Sequence, residues 1–204
     1  MLELLKHFLD PVFLIQSLGL LGILGIVFAE SGLFFGFFLP GDSLLFTAGL
    51  LASQGYFPIV TLYVSIFLAA VLGDSVGYAF GYRWGRKLFT KKESFFFRKE
   101  FLVRTEMFFE KYGSKALVLA RFVPVVRTFT PILAGVGKMH YRKFLTYNLA
   151  GGFAWTTLLV FAGYYLGRLV PGVDKYIFPI ILLIIVISFI PIVFEFLKNR
   201  KKGL

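Results

Sequence analysis

The sequence ARFVPVVRTFTPILAG, residues 120–135, decides the fold, because prolines and charges interrupt it where the surrounding residues are apolar. Proline removes a backbone N–H and disturbs the helical turn before it, so neither Pro124 nor Pro131 suits an ordinary spanning helix. Irregular backbone at membrane depth survives only against protein or a water-filled cavity. The arms beside the break are shorter than the roughly 20 residues that cross a bilayer. We therefore predict a re-entrant helical hairpin, which enters and leaves on one side of a membrane.

A second stretch, LFFGFFLPGDS at residues 33–43, has the same character, and another apolar arm follows it. We predict a second re-entrant hairpin here, so that the hairpin breaks of the chain lie at Pro40, Gly41, Pro124 and Pro131. The apolar run before it leaves two options open, a span plus a hairpin arm or one long tilted arm. These options place the N-terminus on opposite sides of the membrane.

The composition is that of an integral membrane protein. Of 204 residues, 58% are hydrophobic, 27 are phenylalanine and only 16% are charged, and the mean hydropathy is +0.80. Soluble domains carry about 25% charged residues, so the composition argues against a water-soluble enzyme and against a disordered chain. The chain has no cysteine, which excludes disulfides and thiol chemistry.

The net charge of +11 is unevenly placed along the chain. Residues 83–115 hold ten basic residues against four acidic ones, and four more basic residues lie between 198 and 202. Basic blocks beside long apolar runs follow the positive-inside rule, which favours a cytoplasmic position over a nucleic-acid partner. No small-residue cleavage site follows the first apolar run, so we expect no cleaved signal peptide.

Three mostly apolar segments, roughly 57–82, 144–167 and 176–196, are long enough to be transmembrane helices, and the first of them contains Asp74. With residues 83–115 in the cytoplasm, the first span runs inward, the second runs outward and the third returns. Residues 93–112 place aromatic side chains near one helical face and charges on the others. This pattern predicts an amphipathic helix on the inner leaflet.

An internal repeat links the two breaks. Ala-Gly at 48–49 precedes Gly-Tyr-x-x-Gly at 77–81 by 28 residues, and Ala-Gly at 134–135 precedes Gly-Tyr-x-x-Gly at 163–167 by the same interval. Because the spans that follow run in opposite directions, the two halves are predicted to be inverted repeats, which is a transporter design. The alternative is two unrelated glycine-rich packing faces.

The predicted fold is an all-α polytopic membrane protein with two inverted repeats, each a re-entrant helical hairpin plus a transmembrane helix. An extra C-terminal transmembrane helix and the amphipathic inner-leaflet helix complete it. We expect one domain, residues 1–204, in which repeat one covers about 15–87, the linker helix 90–112, repeat two about 113–168 and the C-terminal helix 174–197.

Five ionisable residues lie inside apolar sequence, and each is a functional candidate because charge is costly in a membrane. They are Glu30, Asp42, Asp74, Arg121 and Arg127. If the hairpins meet, Arg121 and Arg127 face Glu30 and Asp42 across a buried cavity. Two guanidinium groups at a broken helix would bind a phosphate headgroup. Burial disfavours a charged carboxylate whereas a nearby arginine favours it, so Glu30 or Asp42 could take up a proton during transport.

Other interpretations of these residues stay open. The charges could form a static salt bridge that docks the hairpins. Asp74 suits a third polar cavity member and a cap at a helix kink equally well. Asn148 and Trp155 lie seven residues apart on one helix face, as cavity liners or packing groups, and packing is the stronger interpretation for Trp155. We find no metal-ligand spacing, nucleotide-binding loop or hydrolase motif, and so predict no metal, no cofactor and no catalytic residue.

Three stretches carry a resemblance to a known family. They are FAESG at 28–32 with FLPGDS at 38–43, then GDSVGYAFGYR at 73–83, and RFVPVVRTFTPILAG at 121–135 with Asn148 and Trp155 downstream. These stretches resemble the DedA family of bacterial inner-membrane proteins, which is related to eukaryotic lipid scramblases with the VTT domain. The resemblance covers about residues 15–170.

The resemblance implies a transporter driven by the proton motive force. Some members recycle undecaprenyl phosphate, the lipid carrier of cell-wall synthesis, from the outer to the inner leaflet, and others are tied to phospholipid distribution. The matching acids are Glu30 and Asp42, for proton coupling, and the matching bases are Arg121 and Arg127, for the substrate phosphate. We therefore expect a multi-pass protein of the bacterial inner membrane whose partners are protons, the bilayer and a polyprenyl phosphate or phospholipid.

The functional hypothesis is a non-enzymatic, proton-coupled lipid flippase, with undecaprenyl phosphate as the first candidate substrate. One alternative belongs to a different transport class, a small-solute or ion exchanger using the same acids, and another is a phospholipid scramblase. A further alternative is a structural membrane protein without a substrate. The oligomeric state, a homo-oligomer included, is left open.

Overall fold

The computed structural model describes residues 11–33, 39–85 and 113–170, together with residue 179. Within these residues the protein is helical, and no β-strand occurs among them. We number six α-helices in chain order. They are α1 (Pro11–Gly32), α2 (Gly41–Ser53), α3 (Ile59–Phe80), α4 (Ala116–Ala120), α5 (Pro124–Val136) and α6 (Tyr141–Leu169).

Two helices in the described part of the chain are long and apolar enough to cross a membrane. Helix α3 continues into a π-helical turn, Gly81–Gly85, so that Ile59–Gly85 forms a 27-residue segment, and α6 has 29 residues. At 1.5 Å per residue, both exceed the roughly 30 Å of a hydrocarbon core. They correspond to the predicted spans 57–82 and 144–167. The third predicted span, 176–196, lies outside the described residues except for residue 179.

The exposed face of α3 is a continuous apolar stripe. It repeats every four residues and consists of Val60, Val64, Leu68, Leu72, Val76 and Phe80, which are between 39% and 71% exposed. A soluble monomer rarely exposes such a contiguous apolar surface. Lipid chains are the surroundings in which this face costs no free energy.

The first helix, α1, crosses α3 at two glycines. A Cβ atom on Gly32 would lie 2.6 Å from the carbonyl oxygen of Gly73, and one on Gly73 would lie 2.6 Å from that of Phe28. Small residues allow helix backbones this close approach inside a membrane. Helix α1 also departs from helical geometry at Gly19, whose φ is 62°, a value that glycine adopts without steric cost.

Proline ends the short helix α4 before the predicted break. Pro124 disfavours helical geometry in the residue before it, and Val123 is extended, with φ −113° and ψ 108°. Helix α5 then begins at Pro124, where the missing N–H would have no partner in any case. In the other half, α2 likewise begins at Gly41, directly after Pro40.

Pro131 differs from the prediction, because it lies inside α5 rather than at a break. The helix continues through it although the carbonyl of Arg127, four residues earlier, receives no N–H from proline. Packing supports the helix here: Pro131 and Ile132 face Gly77 of α3, where an added Cβ atom would lie 3.6 and 3.5 Å from their side chains. The re-entrant hairpins and the inverted repeat themselves remain predictions, and the linker helix 90–112 lies outside the described residues.

Each short helix packs along the long helix of the other half. A side chain on Gly49 of α2 or Gly163 of α6 would collide with the facing backbone. The same holds for Gly81 at the end of α3 and Gly135 of α5. The glycines of the sequence repeat therefore serve close helix contacts. Because each short helix packs on the long helix of the other half, the beginnings of α2 and α5 lie close to each other and to α6.

Candidate functional site

Arg127 lies between two carboxylates at the meeting point of three helices. Its Nη2 donates to Oε1 of Glu30, on the last turn of α1, and its Nη1 donates to Oδ1 of Asp42, on the first turn of α2. Arg127 and Glu30 are 9% and 3% exposed. A charge with so little access to water is tolerated only when it is paired.

Gly41 makes room for the Glu30 carboxylate. A Cβ atom at position 41 would overlap the Glu30 carboxyl group, so no other residue fits there without displacing the acid. The second oxygen of Glu30, Oε2, lies against this glycine and accepts no hydrogen bond of normal geometry from a described residue. Among the described residues, Glu30 therefore has one oxygen bound to arginine and one buried oxygen that receives no well-aligned hydrogen bond.

Arg121 belongs to a separate ion pair, which corrects the expectation that both arginines face Glu30 and Asp42. Its Nη1 donates to Oδ2 of Asp74 on α3 and to Oδ1 of Asn148 on α6 at 2.7 Å. The reason is the turn at residues 121–123, which places Arg121 before α5 and directs it toward the two long helices. Asp74 is thus a member of the polar centre and pairs with Arg121.

Asn148 is held from both sides. Its Nδ2 donates to the carbonyl oxygen of Val71 at 3.1 Å, while its Oδ1 accepts from Arg121. The amide orientation is fixed by this pair of contacts, because only the oxygen can accept from an arginine. Asn148 therefore positions Arg121 relative to α3.

Trp155 lies between the two ion-pair groups. Its ring centroid is 4.8 Å from Cζ of Arg127 and 5.5 Å from Cζ of Arg121, within the range of cation–π attraction. Its indole N–H donates to Oδ1 of Asp42 at 2.9 Å. Trp155 is part of the hydrophobic core as well, so the packing interpretation was incomplete. Its seven-residue spacing from Asn148 was the available sequence signal for a polar role.

The cavity among these side chains is small. Its volume is about 20 Å³, enough for roughly one or two waters. A phosphate group can enter only if ion pairs separate or helices move. The lining residues are Ser31, Asp74, Leu117, Arg121, Arg127, Thr130, Pro131, Phe144, Asn148 and Trp155.

The polar centre carries an excess of negative charge when all its groups are ionised. Three carboxylates (Glu30, Asp42 and Asp74) are paired with two guanidinium groups (Arg121 and Arg127), which leaves −1. All of the excess lies in the group around Arg127, since the other pair is neutral. No set of three or more His, Cys, Asp or Glu side chains suited to a metal ion occurs among the residues that the structure describes.

Two long apolar helices, a lipid-facing stripe and a buried charged centre at helix breaks define the class: a helical membrane protein with a polar core. The family follows from comparison with known proteins. The VTT domain model matches residues 39–165, and the chain belongs to the DedA family of membrane proteins. Membership is consistent with a transporter or flippase role.

Two relatives of similar length are 44% identical to the chain. Protein DedA of Escherichia coli strain K12 matches over 178 residues, which is 86% of this chain and 81% of that protein. An uncharacterized membrane protein of Mycobacterium tuberculosis, MT0380, matches over 191 residues, 90% of this chain and 83% of that protein.

A more distant relative is the inner membrane protein YqjA of Escherichia coli strain K12. It is 34% identical over 144 residues, 70% of this chain and 65% of that protein. No solved structure matches the chain. The relatives' names and the apolar helices together place this protein in a membrane.

Proposed function

We propose that this protein is a proton-coupled flippase that moves undecaprenyl phosphate from the outer to the inner leaflet of the bacterial inner membrane. The single observation that carries the proposal is Arg127, buried between Glu30 and Asp42. A guanidinium group binds carboxylate and phosphate through the same paired N–H geometry. A phosphate headgroup can therefore take the place of a carboxylate at this arginine.

In this mechanism, protonation of a carboxylate allows the phosphate to replace it at Arg127. Protonation of Glu30 or Asp42 weakens the ion pair, and Arg127 then binds the lipid phosphate. When the proton leaves on the other side, the carboxylate reclaims the arginine and the lipid is released. The excess negative charge of the centre supports this order, because an incoming anion raises the repulsion unless a proton accompanies it.

The fold supports the proposal through its broken helices. In the proposed arrangement, residues 1–204 form one multi-pass domain of two inverted repeats, and re-entrant hairpins from opposite leaflets meet at the charged centre. Asp42 and Arg127 lie on α2 and α5, the helices that begin at the two breaks. Small movements of these helices would open the centre to one leaflet or the other. The role is non-enzymatic, and its partners are protons and lipid.

A second candidate is a proton-coupled exchanger of a small solute or ion. The cavity volume of about 20 Å³ favours it, because this space suits a small ion without rearrangement. The two candidates differ in what must reach Arg127. A lipid phosphate needs an opening between helices toward the bilayer, whereas a small ion needs only an aqueous path.

The test is lipid movement in proteoliposomes that contain a short-chain polyprenyl phosphate, with an imposed pH gradient. We expect wild-type protein to accelerate transfer of the phosphate-bearing lipid, and Arg127→Lys and Glu30→Gln to reduce the rate by about tenfold or more, as loss of a charged hydrogen bond predicts. Arg168→Lys, at an exposed position of α6, is the matched control. Equal rates for all four proteins, each folded, would refute the mechanism.

A further inference from the structure

We infer that the two arginines have different tasks: Arg127 leaves its carboxylates to bind the lipid phosphate, whereas Arg121 stays paired with Asp74 and Asn148 as a positioning residue. This inference rests on the proposed function and deepens it, because it assigns the substrate phosphate to one guanidinium group. Four independent features of the structure separate the two residues.

The first feature is charge balance. Arg121 and Asp74 form a neutral pair, so departure of the arginine would leave Asp74 buried and uncompensated, with its side chain only 9% exposed. Such a loss is costly in a medium of low dielectric constant. Arg127 instead faces two carboxylates. The negative excess of this group favours uptake of a proton there, and with one proton bound the group has a charge of −1 after the arginine leaves, the same as in the paired state, so no new uncompensated charge is created.

The second feature is how tightly each guanidinium group is enclosed. Arg121 lies against bare backbone of α6: a Cβ atom at Gly151 would lie 3.5 Å from its Cδ, and one at Gly152 would lie 3.6 Å from its Cζ. Asn148 accepts from it and is itself tied to α3. All of these partners are on the two long helices, which makes Arg121 part of the joint between them.

The third feature is that the two acids paired with Arg127 have other ways to be stabilised when the arginine leaves. Asp42 keeps the indole N–H of Trp155 at 2.9 Å when the arginine leaves. The Asp42 side chain is 19% exposed, against 9% for that of Asp74, so it is the more accessible of these two acids. Oε2 of Glu30 receives no well-aligned hydrogen bond from the described residues, so this oxygen is where a proton can bind on that acid.

The fourth feature is the backbone at Arg127. Proline at position 131 supplies no N–H to the carbonyl of Arg127, so α5 lacks one internal hydrogen bond at this turn. Helices bend where such a bond is missing. Arg121 precedes α5 and so lies outside the helix that Pro131 interrupts, although the backbone N–H groups of both arginines are bonded, to Val118 and to Val123.

The test compares neutralised pairs. Single neutralisation, Arg121→Gln, should lower lipid transfer about tenfold or more because Asp74 is left unpaired. The double variant Arg121→Gln with Asp74→Asn should return to within about threefold of wild type, since removing both charges of a buried pair is often neutral. The double variant Arg127→Gln with Glu30→Gln should stay at the level of empty vesicles.

A direct binding signal separates positioning from structural loss. The chain has two tryptophans, Trp84 and Trp155, so in a Trp84→Phe background the fluorescence comes from Trp155 beside both arginines. Titration with dodecyl phosphate in detergent should change this emission in the parent protein and in the Arg121→Gln/Asp74→Asn variant, with affinities within about threefold, the span of a pair whose removal is near neutral. In the Arg127→Gln variant, the same titration should give no saturable change in Trp155 emission. Dodecyl sulfate and dodecyl maltoside serve as headgroup controls.

Conservative variants keep the test decisive if a double variant does not fold. Arg121→Lys retains a point charge for Asp74 and should keep at least about a third of the transfer rate, whereas Arg127→Lys loses the paired geometry and should fall about tenfold. The inference is overturned if wild type responds to dodecyl phosphate and the Arg121 variants lose that response while the Arg127 variants keep it. Wild type that neither binds dodecyl phosphate nor moves lipid refutes the proposed function, and the inference with it.

Discussion

Replacing Trp155 by phenylalanine is the most informative single change, because it removes one hydrogen bond and leaves an aromatic ring between the arginines. The lost bond runs from the indole Nε1 to Oδ1 of Asp42 and is 2.9 Å long. A hydrogen bond to a charged group contributes about 1.5–3 kcal/mol, which corresponds to roughly a 10- to 150-fold change in an equilibrium. The ring, with centroid distances of 4.8 and 5.5 Å to the two arginines, is retained in part.

The size of the effect should depend on the state of Arg127. While Arg127 is paired with Asp42, the acid keeps a donor without the indole, so we expect only a modest loss of thermal stability in Trp155→Phe. Once Arg127 has left to bind phosphate, the indole is the remaining donor to Asp42 in the described structure. The initial rate of lipid transfer should therefore fall by about tenfold or more, as loss of a charged hydrogen bond predicts.

The assay pairs lipid transfer in proteoliposomes with thermal unfolding in detergent, for wild type, Trp155→Phe and Trp84→Phe. Trp84 is 51% exposed on the π-helical turn, so its replacement should leave both quantities nearly unchanged. A Trp155→Phe protein with the wild-type transfer rate refutes the role given to the indole N–H. A large loss of stability in proportion to the loss of rate would instead assign Trp155 to packing alone.

Three further predictions concern Glu30 and two residues that contact the polar centre. Gly41→Ala should destabilise the protein by about 1–3 kcal/mol, because the methyl group overlaps the Glu30 carboxylate, whereas Gly25→Ala, which meets no atom within 4 Å, should be neutral or slightly stabilising; equal melting temperatures for the two variants would contradict this. Asn148→Leu should cost about 1–3 kcal/mol in thermal unfolding, since it removes one acceptor from the Arg121 guanidinium group and one donor from the Val71 carbonyl, which keep Asp74 and Ser75 as partners, and an unchanged melting temperature would count against that anchoring role. In proteoliposomes, Glu30→Gln should abolish the response of lipid transfer to an uncoupler, and a wild-type response in this variant would exclude Glu30 as the proton carrier.

Much of the fold is readable from hydropathy and charge. Segments 57–82 and 144–167 are apolar over a span's length, with Asp74 as the one charged residue, and the helices Ile59–Gly85 and Tyr141–Leu169 correspond to them. Proline restricts the backbone locally, so the beginnings of α2 and α5 are also readable. Pro131 was not, because whether an internal proline breaks a helix depends on the packing that supports it.

The candidate site is only half readable. Charges in apolar sequence must pair, which predicts that the few acids and bases meet. Which acid meets which base depends on the turn at 121–123 and on the rotation of α6, and no sequence spacing contains either quantity. The pairing of Arg121 with Asp74, and the direction of the Trp155 indole, therefore needed three-dimensional structure.

The most direct test is an electron cryomicroscopy structure of the protein in nanodiscs that contain undecaprenyl phosphate, at a pH below neutral. It examines whether phosphate replaces a carboxylate at Arg127. We expect density for the phosphate within hydrogen-bond distance of the Arg127 guanidinium group, with Glu30 separated from it and Arg121 still on Asp74. A phosphate bound elsewhere, with Arg127 still holding both carboxylates, would contradict the proposed exchange.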